Sequence, residues 1–401
     1  MDVRSGSPFS LVRNERVSPY APLQSHIQCD VAVVGAGISG ALAAHHLVEA
    51  GVNTVLLDKR DIGRGSTAAS TGLLQYELDV PLHELVLRLG ERSAVQIYQL
   101  CRRANANLGA LLHRLGENCG FRRRQSLYLA SEKSDRSVLK REFAVRERYG
   151  FPVEFLDSKE LNKRFSLTRP AALLTADAGQ IDAYLTVHAL VQNACRKGLK
   201  VFTGTRIEKH KMEGDRTVLF TGDGFRVKAR KIVIATGYEG ESFLKTSRVK
   251  LTSTYAIATA PLPFIHPALE CLVWEAARPY LYVRPNADGG ALIGGEDEPF
   301  ASPAKRDRML PKKTRKLAAQ FQKLFGREDF EIAFAWSGTF AETSDSLPWI
   351  GECPGFPGAY FALGYGANGI TFSQIAAEIV RDLVLGRANE DAHLFSFGRS
   401  A

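Results

Sequence analysis

Cysteine is scarce in this chain: the six among 401 residues (Cys29, Cys101, Cys119, Cys195, Cys271 and Cys353) lie far apart, with no CxxC pair. A disulfide scaffold needs a dense set of pairs and a zinc site needs ligands at short spacing, so neither organises this molecule. The nine histidines show no ligand spacing either, and no metal is expected. His45 and His46 are expected on a helix surface, and the thiols are expected to be buried and reduced.

Long apolar runs are also missing. No uninterrupted stretch approaches the roughly 20 apolar residues that span a bilayer. Residues 1–29 are polar, contain Pro19 and Pro22, and lack the apolar core of a secretory signal. The expectation is a cytoplasmic protein with no transmembrane segment. The net charge of +9 is modest for this length, and much of the excess sits in Arg122-Arg123-Arg124 and between Lys305 and Lys316. Such runs usually form solvated faces. Basic residues interleaved with stacking aromatics are lacking, so no nucleic-acid partner is expected. The 45% hydrophobic content is enough for the cores of two or three domains.

Against these absences stands one dense signal. Asp30-Val31-Ala32-Val33-Val34 reads as a strand buried on both faces, and Gly35-Ala36-Gly37-Ile38-Ser39-Gly40 follows it with the spacing G-x-G-x-x-G. Gly35 makes the tight turn, Gly37 admits a pyrophosphate to the backbone, and Gly40 lets the next helix press on the sheet. That helix runs to Glu49-Ala50 and stops at Gly51, a residue that accepts positive φ cheaply. Its first turn offers unpaired N–H groups and the positive end of the helix dipole to a dianion. Thr54-Val55-Leu56-Leu57 forms the second strand and ends in Asp58, with Lys59 beside it, 18 residues after Gly40. The Asp58 carboxylate suits the two ribose hydroxyls of an adenosine and would repel a 2′-phosphate.

That unit alone serves NAD or FAD equally. Lys231-Ile232-Val233-Ile234-Ala235-Thr236-Gly237 adds another strand that ends in small residues, against which a flat group or a phosphate can lie. Near the carboxyl end, Tyr360 to Leu363 reads as a strand, Gly364 to Gly369 as a glycine loop, and Ile370 onward as a helix. This second loop feeds a second helix amino terminus. Reduced flavin carries negative charge near its pyrimidine ring, which such a terminus stabilises. FAD is therefore the expected cofactor.

The ordered set Asp30 to Gly40, Asp58, Gly65-Ser66-Thr67, Ala235-Thr236-Gly237, Trp336-Ser337-Gly338, Asp345 to Gly351 and Gly364 to Phe372 resembles the D-amino-acid oxidase, glycine oxidase and sarcosine oxidase superfamily of FAD enzymes, over about residues 28–398. The resemblance implies an α/β fold, α+β overall. A Rossmann-like FAD-binding domain would be assembled from residues 30–80, 166–240 and 331–401, and an antiparallel-sheet substrate domain from 81–165 and 241–330, after an extension of 1–29. It places the backbone of Ile207 against adenine. Ser66, Thr67, Ser70, Thr71 and Leu73 would lie along the pyrophosphate and flavin edge. Thr236 and Gly237, and Gly366, Asn368, Gly369, Ile370 and Thr371, would complete the cofactor contacts. The turn Gly63 to Leu73 has no His or Cys, and Trp336 to Phe340 has no Cys, so non-covalent FAD is expected.

Two elements of the family pattern are missing. Thr339-Phe340 stands where relatives carry an Arg that grips the substrate carboxylate, and Ile370-Thr371-Phe372 stands where sarcosine-type relatives carry an oxygen-activating Lys. Period-two alternation puts Tyr280, Tyr282 and Arg284 on one face of a strand, which makes Tyr282 and Arg284 candidates for the substrate pocket. Gln75, Tyr76 and Tyr255 are further candidates, and Arg122 to Arg124 weaker ones. The expected function is oxidation of the C–N bond of an amino acid or small secondary amine by hydride transfer to flavin N5, with O2 or a quinone or carrier as electron acceptor. Two alternatives stay open. One is a dehydrogenase of a hydroxy acid or glycerol-phosphate-like alcohol, with a base drawn from His83, Glu77 or Glu84. The other is a non-catalytic flavin subunit that docks through the basic helix after Pro311.

Overall fold

A computed structural model of the chain describes residues 2–14, 19–116, 119–243, 249–363, 366 and 368–399. Two sheets organise it. The first has the strand order Trp349–Glu352, Ala359–Leu363, Arg226–Ile234, Ile27–Val34, Thr54–Leu57, Lys200–Phe202. All of its pairings from Ala359–Leu363 to Lys200–Phe202 are parallel. The residues explain this: Val31, Ala32, Val33, Leu56 and Leu57 are at most 1% exposed, as strands covered on both faces must be. The helices Ile38–Glu49, Ala183–Arg196 and Gly369–Val384 pack together on one face, and Ser39 and Ser373 share a hydrogen bond of 2.9 Å. A hairpin of Ile207–Glu213 and Arg216–Thr221 pairs onto Arg226–Ile234.

The second sheet is larger, in the order Arg4–Gly6, Ile332–Thr343, Val249–Thr259, Ala291–Glu298, Leu281–Pro285, Cys271–Glu275, Arg122–Leu129, Ala171–Gln180, Leu73–Leu74. Its pairings are antiparallel except between Cys271–Glu275 and Arg122–Leu129. Helix Pro303–Phe325 covers one face, burying Leu317, Phe321, Leu324 and Phe325 against Ile257, Ile293 and Val283. Full burial of each such side chain is worth roughly 1.5–3 kcal/mol. The opposite face looks toward the first sheet and floors the cavity described below.

Strand pairing departs from the segment boundaries expected from sequence. Residues 171–180 and 332–343 join the large sheet, although both fell in segments assigned to the nucleotide-binding domain. Within the expected extension of 1–29, Arg4–Gly6 pairs with Gly338 to Trp336, and the nucleotide-binding strand already starts at Ile27. The apolar side of the helix after Pro311 is covered by the protein's own sheet, which removes the docking face that the subunit reading required. Within its basic run, Arg306 and Lys313 are buried. Arg306 donates to Thr339 Oγ1 at 2.9 Å, and Lys313 lies 2.8 Å from Glu296 and 2.6 Å from Glu298. His45 is 2% exposed and faces Asn193, so it is not a surface residue. His46 is half-buried, and burial lowers its pKa to about 4. No described helix is long and apolar enough to cross a membrane, and among the described residues no group of three His, Cys, Asp or Glu could hold a metal ion. None of the six cysteines is in a disulfide among the described residues, and five of them are buried.

Candidate functional site

A cavity of about 890 Å³ runs between the two sheets. Its first end is built on the glycine turn. Gly35 has φ +107, and its N–H is held by Leu57 O at 2.7 Å. A Cβ on Gly40 would lie 1.7 Å from Gly35 O, which is why the helix can approach this closely only with glycine there. Gly37 caps Ile38–Glu49 without a side-chain bond. The first intrahelical bond is Ala41 N–H to Gly37 O, and Ile38 N–H is taken by Thr67 Oγ1 at 3.0 Å. The Ser39 and Gly40 N–H groups precede that first bond and have no intrahelical acceptor.

Asp58 closes this end. Its carboxylate accepts from Ala36 N–H at 2.6 Å and Arg60 N–H at 2.8 Å, and burial raises its pKa against those two bonds. Lys59 and Arg60 both pair with Glu239 at 2.8 Å. Burial alone would raise the Glu239 carboxyl, but the hydrogen bonds from Arg60 and Lys59 hold it at about 2. Ile207, Thr236 and Gly237 line the wall beside it. Thr236 Oγ1 is buried there with no hydrogen-bond partner, so a polar acceptor is wanted from inside the cavity.

The middle of the cavity is walled by Ser66, Thr67, Ser70, Thr71 and Leu73 on one side and by Gly366, Asn368, Gly369 and Ile370 on the other. Gly364, Tyr365 and Ala367 of the second glycine loop lie outside the described residues. Helix Gly369–Val384 starts without a side-chain cap, since Asn368 instead donates to Glu77 O at 2.9 Å and Gln75 O at 3.4 Å. The far end is floored by the large sheet: Thr254, Trp274, Tyr280, Tyr282 and Asp297, with Gln75, Glu77 and Asp79 alongside. Gln75 Nε2 and Trp274 Nε1 both donate to Ser126 Oγ at 3.0 Å. The Tyr282 ring lies across Gly294, where a Cβ would sit 2.2 Å from it.

Other candidates fall elsewhere. Tyr76 is fully buried, stacked on Phe151 at 5.5 Å and 5.8 Å from the Arg146 guanidinium, so it packs in the core. Tyr255 points to the opposite face of the sheet, under helix Pro303–Phe325, with the Lys313 ammonium 5.6 Å from its ring. Arg284 shares the face of Tyr282 but is used up as a brace: it donates to the carbonyls of Thr71, of Pro285 at 2.8 Å and of Ile181 at 3.3 Å. Thr371 turns from the cavity and donates to Asn105 Oδ1 at 2.8 Å. Arg124, the inner member of the arginine run, pairs with Gln180 and Glu270. Glu77, a candidate base, lines the cavity, and Asp79, Thr254, Trp274 and Asp297 line it without having been candidates. Alternation would have added Asp79 to Gln75 and Glu77, since the three share one face of an extended segment while Tyr76 and Leu78 go inward.

Residues 30–383 match the family of FAD dependent oxidoreductases. The chain belongs to that family. Glycine oxidase of Geobacillus kaustophilus is 25% identical over 372 residues, covering 88% of this chain and 92% of the relative. Gamma-glutamylputrescine oxidoreductase of Escherichia coli is 25% identical over 401 residues, covering 95% and 89%. Among solved structures, that of the Geobacillus kaustophilus glycine oxidase superposes with a TM-score of 0.78 over 94% of this chain and 100% of its own. That of an L-amino acid deaminase from Proteus myxofaciens gives 0.79 over 100% and 98%, at 16% identity. This FAD-dependent oxidoreductase is therefore an enzyme with FAD as its cofactor, and the mixed fold with a Rossmann-like domain is that of its relatives.

Proposed function

We propose that this FAD-dependent oxidoreductase oxidises the C–N bond of an amino acid or amine. The observation that carries the reading is one continuous cavity, which joins a nucleotide-type end at Gly35 to Asp58 with an aromatic and acidic end on the large sheet. Gly37, Ser39, Thr67 and Asp58 would hold the adenosine diphosphate half, and Ser70, Thr71, Leu73, Asn368 and Gly369 the flavin. When bound, FAD supplies the two-electron acceptor for a hydride. The work left to the protein is orientation and exclusion of water. Tyr282 is fixed over Gly294, and Gln75 and Trp274 are tied to one hydroxyl, Ser126 Oγ. Such groups position a substrate without exchanging protons with it. Removal of a hydride beside a neutral amine requires no strong base.

The alcohol reading does require one. His83 is bound to Glu142 at 2.7 Å and Glu84 to Arg88 at 3.3 Å, and neither lines the cavity. That leaves Glu77, whose carboxylate is engaged by the Arg146 guanidinium at 3.6 Å. Anaerobic addition of amino acids, N-methylated amines and hydroxy acids to the yellow holoenzyme tests the choice. Bleaching of the flavin bands by amines or amino acids is expected, and bleaching by hydroxy acids alone would overturn the amine reading.

A further inference from the structure

The charge on the cavity wall is divided. Its lysine and arginines, Lys59, Arg60 and Arg206, gather at the Asp58 end. Among the described residues no Lys or Arg lines the end floored by Trp274, Tyr280 and Tyr282, and that end carries Asp79 and Asp297. Asp297 Oδ1 is shut off from solvent with no hydrogen-bond partner. Burial first, then the neighbouring carboxylates Asp79 and Glu342, push the Asp297 carboxyl up to about 6 against a hydrogen bond from Thr254. Burial likewise raises Asp79, against the pull of Arg278 and the Tyr280 hydroxyl.

Glu77 is a different case, since Arg146 already faces it. Arg278 is exposed beyond this end; it donates to the backbone carbonyl of Asp79 at 2.9 Å and lies 4.7 Å over the Tyr280 ring. Its hydrogen bond is thus to the peptide and its stacking to the ring, so its charge acts on the acids from outside, and among the described residues no Lys or Arg forms an ion pair with Asp79 or Asp297. A substrate carboxylate brought here would meet two like charges in a poorly solvated place. An ammonium would meet two carboxylates and the faces of tyrosines, each of which attracts it.

Resting on the reading that this end receives the substrate, we propose that the substrate is an amine with a second positive charge, a diamine or longer polyamine. Asp79 and Asp297 hold its distal ammonium beside Tyr280 and Tyr282, in place of the carboxylate grip whose Arg is missing at Thr339.

The test is calorimetric titration of the holoenzyme at pH 8 with 1,4-diaminobutane, butylamine and glycine, alongside Asp297→Asn, Asp79→Asn and Arg278→Ala variants that retain the flavin spectrum. The diamine is expected to bind at least about tenfold more tightly than butylamine, with glycine weakest. Each Asn variant is expected to bring the diamine to within about twofold of butylamine, while Arg278→Ala leaves the preference intact. Glycine binding as tightly as the diamine, a diamine preference that survives both Asn substitutions, or no binding by any of the three would overturn the proposal. A diamine preference that the Asn variants abolish, with no bleaching by any amine or amino acid, would leave this recognition standing and remove the oxidation reading.

Discussion

Replacing Arg284 by Met tests whether this residue braces the cofactor turn instead of gripping substrate. The guanidinium is 4% exposed and satisfies three carbonyls, those of Thr71, Ile181 and Pro285. Thr71 lies on the cavity wall, and Ile181 crosses Gly72 so closely that a Cβ there would be 2.1 Å from Ile181 O. Each bond to a charged donor contributes about 1.5–3 kcal/mol, and an acceptor left bare and buried costs about 1–3 kcal/mol. Against this stands the desolvation of the guanidinium, which lowers its pKa to about 10. The balance is a loss of about 3 kcal/mol, or on the order of 5 °C in Tm for a chain this long. Thermal melting of the holoenzyme and flavin-fluorescence titration of the apoprotein read the two consequences. Tm should fall by that amount and the Kd for FAD should rise about tenfold, which corresponds to about 1.4 kcal/mol. Arg284→Lys, with one compact donor in place of the fork, should recover only part of both. An unchanged Tm and FAD Kd in Arg284→Met, with substrate KM alone raised, would refute the brace.

Gly40→Ala should abolish FAD retention on a desalting column, because the new Cβ meets Gly35 O at 1.7 Å and backbone must move. Gly294→Ala should keep FAD and its spectrum but raise substrate KM at least about tenfold, since the methyl displaces the Tyr282 ring that orients the substrate. Acid stability should carry the mark of Glu142. Burial raises its carboxyl, but Arg146 and the hydrogen bonds from His83 and the Leu82 and His83 N–H groups lower it further, to about 2. A depressed carboxyl stabilises the fold above the ordinary value of 4.5 and loses that contribution as pH falls toward 2. Unfolding free energy measured in urea should therefore drop by about 3 kcal/mol across that window, and Glu142→Gln should flatten the drop. Finally, Ile370-Thr371-Phe372 offers no lysine at the start of the final long helix. Enzyme reduced anaerobically by its substrate should therefore reoxidise slowly in air, and rapid peroxide formation would refute that.

What sequence made legible was whatever backbone geometry demands. Gly35, Gly40 and Asp58 stand where the spacing put them because a turn, a close helix approach and a strand end admit few residue types. The two tyrosines Tyr282 and Tyr255 show the limit. Both lie in strands whose alternation was readable, yet only Tyr282 reaches the cavity, since both faces of the large sheet are covered and alternation does not say which cover is protein and which is ligand. Arg306 and Lys313 read as a solvated face because their partners, Thr339 on one side and Glu296 and Glu298 on the other, lie in other strands of the sheet. Asp297, one acid among three consecutive ones, was indistinguishable by composition from its neighbours. Only pairing to Lys313 takes Glu296 and Glu298 to the helix side and leaves Asp297 on the cavity.

The hydrogen bond between Ser39 and Ser373 also sets a timetable. A nascent chain can form its first strand, turn and helix early, but the helix that completes the cavity is translated some 330 residues later. Segments this distant in sequence must find each other after synthesis, which slows folding and exposes apolar surface meanwhile. Cofactor capture thus waits until the helix Gly369–Val384 has been made. The yellow colour of a preparation reports how many molecules completed that long-range closure.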